Sequence, residues 1–138
     1  MNDARKRILI SDCDVDVLIA LEHDLEDLGF DTTIASTSEE TLRLLGQGRF
    51  DLILVADHPP EVNCELLLKQ RHAEGTPVVA LENRPRHPFA EQYLLSLGVK
   101  RIVHKWELNE VNEAVRDLLA TQAETALKCA VAAPAKLG

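Results

Sequence analysis

Aromatic residues are scarce in this chain of 138 residues: one Trp, one Tyr and three Phe, 4% of the total. Any core must therefore be aliphatic, and the 46% hydrophobic content, mostly Leu, Val, Ala and Ile, is enough to build one in a single domain. Long apolar runs are also missing. None approaches the roughly 20 residues that cross a bilayer, so no membrane span is expected. "MNDARKR" leads into "ILIS", an apolar stretch too short for a signal peptide, and the expected location is the cytoplasm. Cysteine is sparse, odd in number and widely spaced (Cys13, Cys64, Cys129), which fits neither a zinc pattern nor a disulfide framework and points to reduced thiols. Positive charge is short as well: 15 Lys and Arg against 23 Asp and Glu leave a net charge of -8. Such a chain repels nucleic-acid phosphates on average, so direct nucleic-acid binding is not expected, and the two arginines of "NRPRHP" (83–88) read as a solvated turn.

What is present is an alternation. Short apolar runs, "RILIS" (7–11), "TTIA" (32–35), "DLILVA" (51–56), "PVVALE" (77–82) and "RIVH" (101–104), are separated by segments of helical period. Several runs are apolar at consecutive positions, which implies burial on both faces and a parallel sheet covered by helices. Leu18, Leu21, Leu25 and Leu28 form one helical stripe, closed by Gly29. Thr37 with Glu40 forms a capping-box pattern ahead of Leu42, Leu45 and Gly46. "CELLLKQRHAEG" and "PFAEQYLLSLG" each close on a glycine, Gly75 and Gly98, and the last helix starts near Asn109 with Val111, Val115, Leu118 and Leu119.

Five strands alternating with five helices predict an α/β fold, a three-layer, doubly wound (βα)5 sandwich of the flavodoxin-like type with parallel sheet order 2-1-3-4-5. It should occupy residues 1–120. Residues 121–138, "TQAETALKCAVAAPAKLG", are rich in Ala and lack large apolar side chains, so they read as a helical extension or tail. In this topology ligands sit outside the carboxyl ends of the strands, beside the switch point. The segments converging there are "SDCD" (11–14), "ADHPP" (56–60), "ENR" (82–84) and "HKW" (104–106), which bring Asp12, Asp14, Asp57, Glu82 and Lys105.

From these residues the chain resembles the receiver domains of two-component response regulators. "ILISDCDVDVLIALEHDLEDLGF" (8–30) is similar to their opening strand, acidic turn and first helix, and the likeness runs on through "DLILVADHPP", "TPVVAL" and "GVKRIVHKW" to about residue 120. The resemblance implies a pocket of five groups: two acids after strand 1 that help hold Mg²⁺, a phosphoacceptor Asp ending strand 3, a Thr or Ser ending strand 4, and a Lys ending strand 5. Crowded carboxylates repel unless a divalent cation joins them, and that cation with the lysine neutralises the phosphoryl oxygens in transfer.

Carried over residue by residue, the first acid is Asp12 and the second is Cys13, a poor donor for a hard ion. The acceptor position is Ala56, with Asp51 opening its strand and Pro60 following at the family's "D-x-x-x-P" distance. The Thr or Ser position is Glu82, and the lysine is kept as Lys105. Ile102 stands where an aromatic is usual, and Trp106 where a proline is usual. These departures imply a pseudo-receiver, which is not an enzyme, binds no cofactor and signals by protein contact. Its partner would be a sensor kinase or output domain, or a second copy in a homodimer, engaged through helix 4, strand 5 and helix 5. The alternative is a working Mg²⁺-dependent receiver that slips by one residue to use Asp57 as acceptor, with Asp12, Asp14 and Asp57 as the metal ligands.

The same residues allow other arrangements. Glu82 can pair with Lys105 across neighbouring strand ends or point to solvent. His58 and His104 with Asp12 or Asp14 could compose a transition-metal site, although a histidine beside a turn is commonly a surface residue; His23, His72 and His87 read as structural or exposed. Asp12 and Asp14 should raise the pKa of Cys13 and disfavour a reactive thiolate. A flavin phosphate needs a Ser, Thr or Gly-rich turn after strand 1, where "SDCDVD" offers carboxylates.

Overall fold

The computed structural model describes residues 5–70, 75–83 and 88–120. The tail 121–138 with Cys129, both arginines of "NRPRHP", His72 and His87 lie outside the described residues. The strands are β1 (Arg7–Ser11), β2 (Asp31–Ala35), β3 (Leu52–Ala56), β4 (Val78–Glu82) and β5 (Arg101–His104). The helices are α1 (Val15–Asp27), α2 (Ser38–Gln47), α3 (Cys64–Gln70), α4 (Pro88–Ser96) and α5 (108–120). All pairings are parallel, in the order β2-β1-β3-β4-β5, as the alternation of elements predicts.

Side-chain alternation divides the core in two. Ile8 and Ile10 of β1, Leu52, Leu54 and Ala56 of β3, Val79 and Leu81 of β4, and Val103 of β5 pack with α1 and α5. Leu9, Ile53, Val55, Val78 and Ala80 face α2, α3 and α4 on the other side. Burial on both faces explains why these strands read as unbroken apolar runs.

Local chemistry sets the ends of the elements. Asp14 caps α1, its side chain accepting from the Asp16 N–H at 3.0 Å. Thr37 caps α2, with Oγ1 accepting from the Glu40 N–H at 3.1 Å, while the Glu40 carboxylate reaches back to the Ser36 N–H at 2.9 Å. This helix passes through Gly46, where the sequence pattern suggested a stop, and ends at Gly48 in extended backbone. Gly29 and Gly98 adopt φ of 96° and 114°, a region that side-chain-bearing residues rarely enter. There the next residues turn back on the helix, Phe30 N–H onto Leu25 O and Val99 N–H onto Leu94 O.

The β1 to β3 register is held at its far end by a reciprocal contact: the Arg7 N–H donates to Asp51 Oδ2 and the Asp51 N–H to Arg7 O, both at 2.8 Å. Ser11 then lies opposite Val55, so Asp12 and Ala56 follow one another across neighbouring strand ends on the same face.

Candidate functional site

Asp12 is fully buried and Lys105 is 5% exposed. The lysine ammonium donates to both carboxylate oxygens, at 3.2 Å to Oδ2 and 3.4 Å to Oδ1, and the Asp14 N–H donates to Oδ1 at 2.9 Å. Both partners extend the alternation of the α1/α5 face, Asp12 after Ile8 and Ile10, Lys105 after Val103. β3 and β4 lie between their strands, so the pair bridges the end of the strand that stops at Ala56. Ala56, 2% exposed, offers a methyl group and no oxygen at this point.

Glu82 is elsewhere in the alternation, following Val78 and Ala80 toward the opposite face. The lysine ion pair is with Asp12 and not with Glu82; the contact between them is through the backbone, the Lys105 N–H donating to Glu82 O at 2.9 Å. Asp57 likewise follows Ile53 and Val55, and its Oδ1 accepts from the Cys64 N–H at the start of α3, at 3.3 Å. Asp14 is occupied as a helix cap. Among the described residues, Asp12, Asp14 and Asp57 are not brought together as a trio of donors within 4.8 Å. The residues present do not suit Mg²⁺: at the matched positions one carboxylate remains, it is held by an ammonium, and its neighbours are a thiol and a methyl group.

Cys13 is half-buried against the α2/α3/α4 side of the core. Burial, then the negative charges of Asp12 and Glu61, push its thiol above the ordinary value, with Lys105 opposing. Of the two carboxylates the sequence pointed to, Asp12 is a cause and Asp14 is not, while burial and Glu61 had no sequence signal. The sign is that of an acid made weaker, so alkylation of Cys13 at pH 7, followed by mass spectrometry in a Cys64→Ser, Cys129→Ser background, is expected to run slower than that of a free cysteine. A rate equal to or above the free thiol contradicts this environment.

Two further polar groups had no sequence signal. Ser11 and Thr41 are buried and joined at 2.7 Å, and the Thr41 hydroxyl also donates to Thr37 O at 2.7 Å. Thr41 has one proton to give, so Ser11 is the donor between them. His104 departs from the metal set proposed for it, its Nδ1 accepting the Trp106 N–H at 3.2 Å. His58 turns to Glu61, Nδ1 to Oε1 at 3.5 Å, and with Cys13 these two form the described trio whose donor atoms gather within 4.8 Å.

No protein-family model and no curated protein sequence matches the chain. Solved structures do. A response regulator receiver domain protein (CheY-like) from Methanospirillum hungatei superposes with a TM-score of 0.80 at 25% identity, over 88% of this chain and 99% of that one. The chain has the receiver-domain fold. A two-component response regulator from Clostridium difficile (TM-score 0.78, 23% identity, 84% and 97% of the two chains) shares it, as does the signal receiver domain of an HD domain-containing protein from Pseudomonas fluorescens (0.74, 24%, 93% and 96%). Receiver domains are signalling modules rather than enzymes of the ordinary kind, and act through proteins such as kinases or output domains. Among the described residues of this receiver fold, no helix is long and apolar enough to cross a membrane.

Proposed function

We propose that this chain is a pseudo-receiver: a receiver-like module of a two-component (phosphorelay) system that signals by protein contact and is not itself phosphorylated. The observation that carries the reading is the buried Ala56 at the end of β3, beneath an Asp12–Lys105 ion pair. An active relative needs an oxygen nucleophile there, with a lysine to meet the incoming phosphoryl group. Here Ala56 offers no such nucleophile, and the lysine is paired with Asp12.

Phosphotransfer through Asp57 is the competing reading, and the pleat argues against it. Asp57 belongs to the opposite face from Asp12 and Lys105, and its Oδ1 serves the first turn of α3. The two readings separate on incubation with a small-molecule phosphodonor and Mg²⁺, followed by intact-mass measurement. The expected result is an unchanged mass. A base-labile gain of one phosphoryl group on Asp57 would overturn the pseudo-receiver.

The contact surface proposed is that of α4, β5 and α5. Phe89 is 74% exposed, and Tyr93, Leu95 and Trp106 are each close to half exposed, a concentration of large apolar side chains in a chain with few aromatics. Phe89→Glu with Leu95→Glu should abolish capture of the cognate kinase or output domain, or dissociate a homodimer. If every such association survives the double substitution, this face is not the interface.

A further inference from the structure

We propose that Cys13, His58 and Glu61 form a site for a divalent transition-metal ion of the zinc type, at the carboxyl end of the sheet. A thiol, an imidazole and a carboxylate, from two separate loops, present one donor atom each within 4.8 Å of one another. This is a borderline-soft donor set, suited to Zn²⁺ or Co²⁺ and unsuited to Mg²⁺. In a tetrahedral site with bonds of about 2.0–2.3 Å, adjacent donors stand about 3.3–3.6 Å apart. His58 Nδ1 and Glu61 Oε1 already stand at 3.5 Å. The sulfur has only to close from within 4.8 Å to about 3.6 Å, a change within reach of side-chain rotation. Three protein ligands leave the fourth position for water or for a donor from a partner.

The scaffold around these donors is fixed. His58 and Val62 exchange backbone hydrogen bonds, N–H to O at 2.7 and 3.1 Å, closing the turn that carries Glu61. α2 holds the same turn from the other side: the Ser38 N–H donates to Glu61 O at 2.9 Å, and Ser38 Oγ accepts the Asn63 N–H at 2.7 Å. Cys13 is held between Asp12, locked by Lys105, and Asp14, which caps α1. Binding would release the thiol proton to solvent, and the thiolate and carboxylate would then cancel the two charges of the ion. The site shares Cys13 with the second acid position of the pocket but uses neither Ala56 nor Asp57, so a cobalt band and a gain of phosphoryl mass are separate readouts.

The test is a Co²⁺ titration of the reduced 138-residue chain, read by near-ultraviolet absorption. The expected result is a thiolate-to-cobalt charge-transfer band saturating at one ion per chain, displaced by Zn²⁺ and indifferent to excess Mg²⁺. Cys13→Ser should remove the band, while His58→Ala and Glu61→Gln, both at exposed positions, should each weaken Co²⁺ binding by about tenfold or more. Cys64→Ser and Cys129→Ser should leave it intact. Absence of the band, its survival in Cys13→Ser, or affinity unchanged in both His58→Ala and Glu61→Gln would overturn the proposal.

Discussion

Lys105→Met is expected to destabilise the fold by about 3–5 kcal/mol, because it leaves the Asp12 carboxylate buried without its counter-charge. Asp12 has no exposed surface and Lys105 almost none, so little water is available to replace the lost ammonium. One hydrogen bond would remain to the carboxylate, from the Asp14 N–H. In urea the midpoint should fall by about 2 M at the slope usual for a domain of this size. Combining Lys105→Met with Asp12→Asn should recover most of the loss. The amide oxygen still accepts from Asp14, and the uncompensated charge is gone. A loss below about 1 kcal/mol in the single variant would mean that the pair behaves as a solvated surface contact.

Ala56→Asp, which restores an acid at the acceptor position, is expected to cost about 3 kcal/mol at pH 8 and to create no phosphoacceptor. The new carboxylate would stand on the face of β3 that adjoins Asp12, with one ammonium to serve both, and an ion drawn out of water costs several kcal/mol unless fully paired. Desolvation and the like charge would raise its folded pKa above the unfolded value of about 3.9. Destabilisation from this group therefore grows as pH rises through that interval and is relieved below it. Unfolding curves at pH 8 and pH 4, each compared with the parent chain, check the sign. Phosphorylation should still fail, since Cys13 remains in place of the second metal-binding acid and Lys105 stays engaged. A variant as stable as the parent at pH 8, or one readily phosphorylated in Mg²⁺, would show that the pocket holds more donors than Asp12.

The two expectations concern one device. In a working receiver, the lysine and the metal respond to the arrival of a phosphoryl group. In this chain the lysine reaches across the ends of β3 and β4 to an aspartate, and the small Ala56 side chain leaves room beneath it.

Periodicity was enough to fix the five strands to within a residue, the cap at Thr37 and the glycine stops at Gly29 and Gly98, because each depends on near neighbours in the chain; the sheet order followed from the handedness of the strand-helix-strand crossovers, which leaves few topologies. Asp51 and Pro60 mark Ala56 in the sequence as the residue at the position the resemblance assigns to the acceptor, and in the fold it ends β3 on the α1/α5 face. What lay beyond the sequence was which charged group meets which. Lys105 chose Asp12 over the nearer strand end of Glu82, 93 residues separating it from its partner along the chain. Glu61 came to Cys13 only through the closed turn at His58 and Val62, and Ser11 met Thr41 only through the packing of α2 on β1. Side-chain pairings of this kind depend on the alternation of facing strands and on where each loop is tied down, and those are settled only when the whole sheet has assembled.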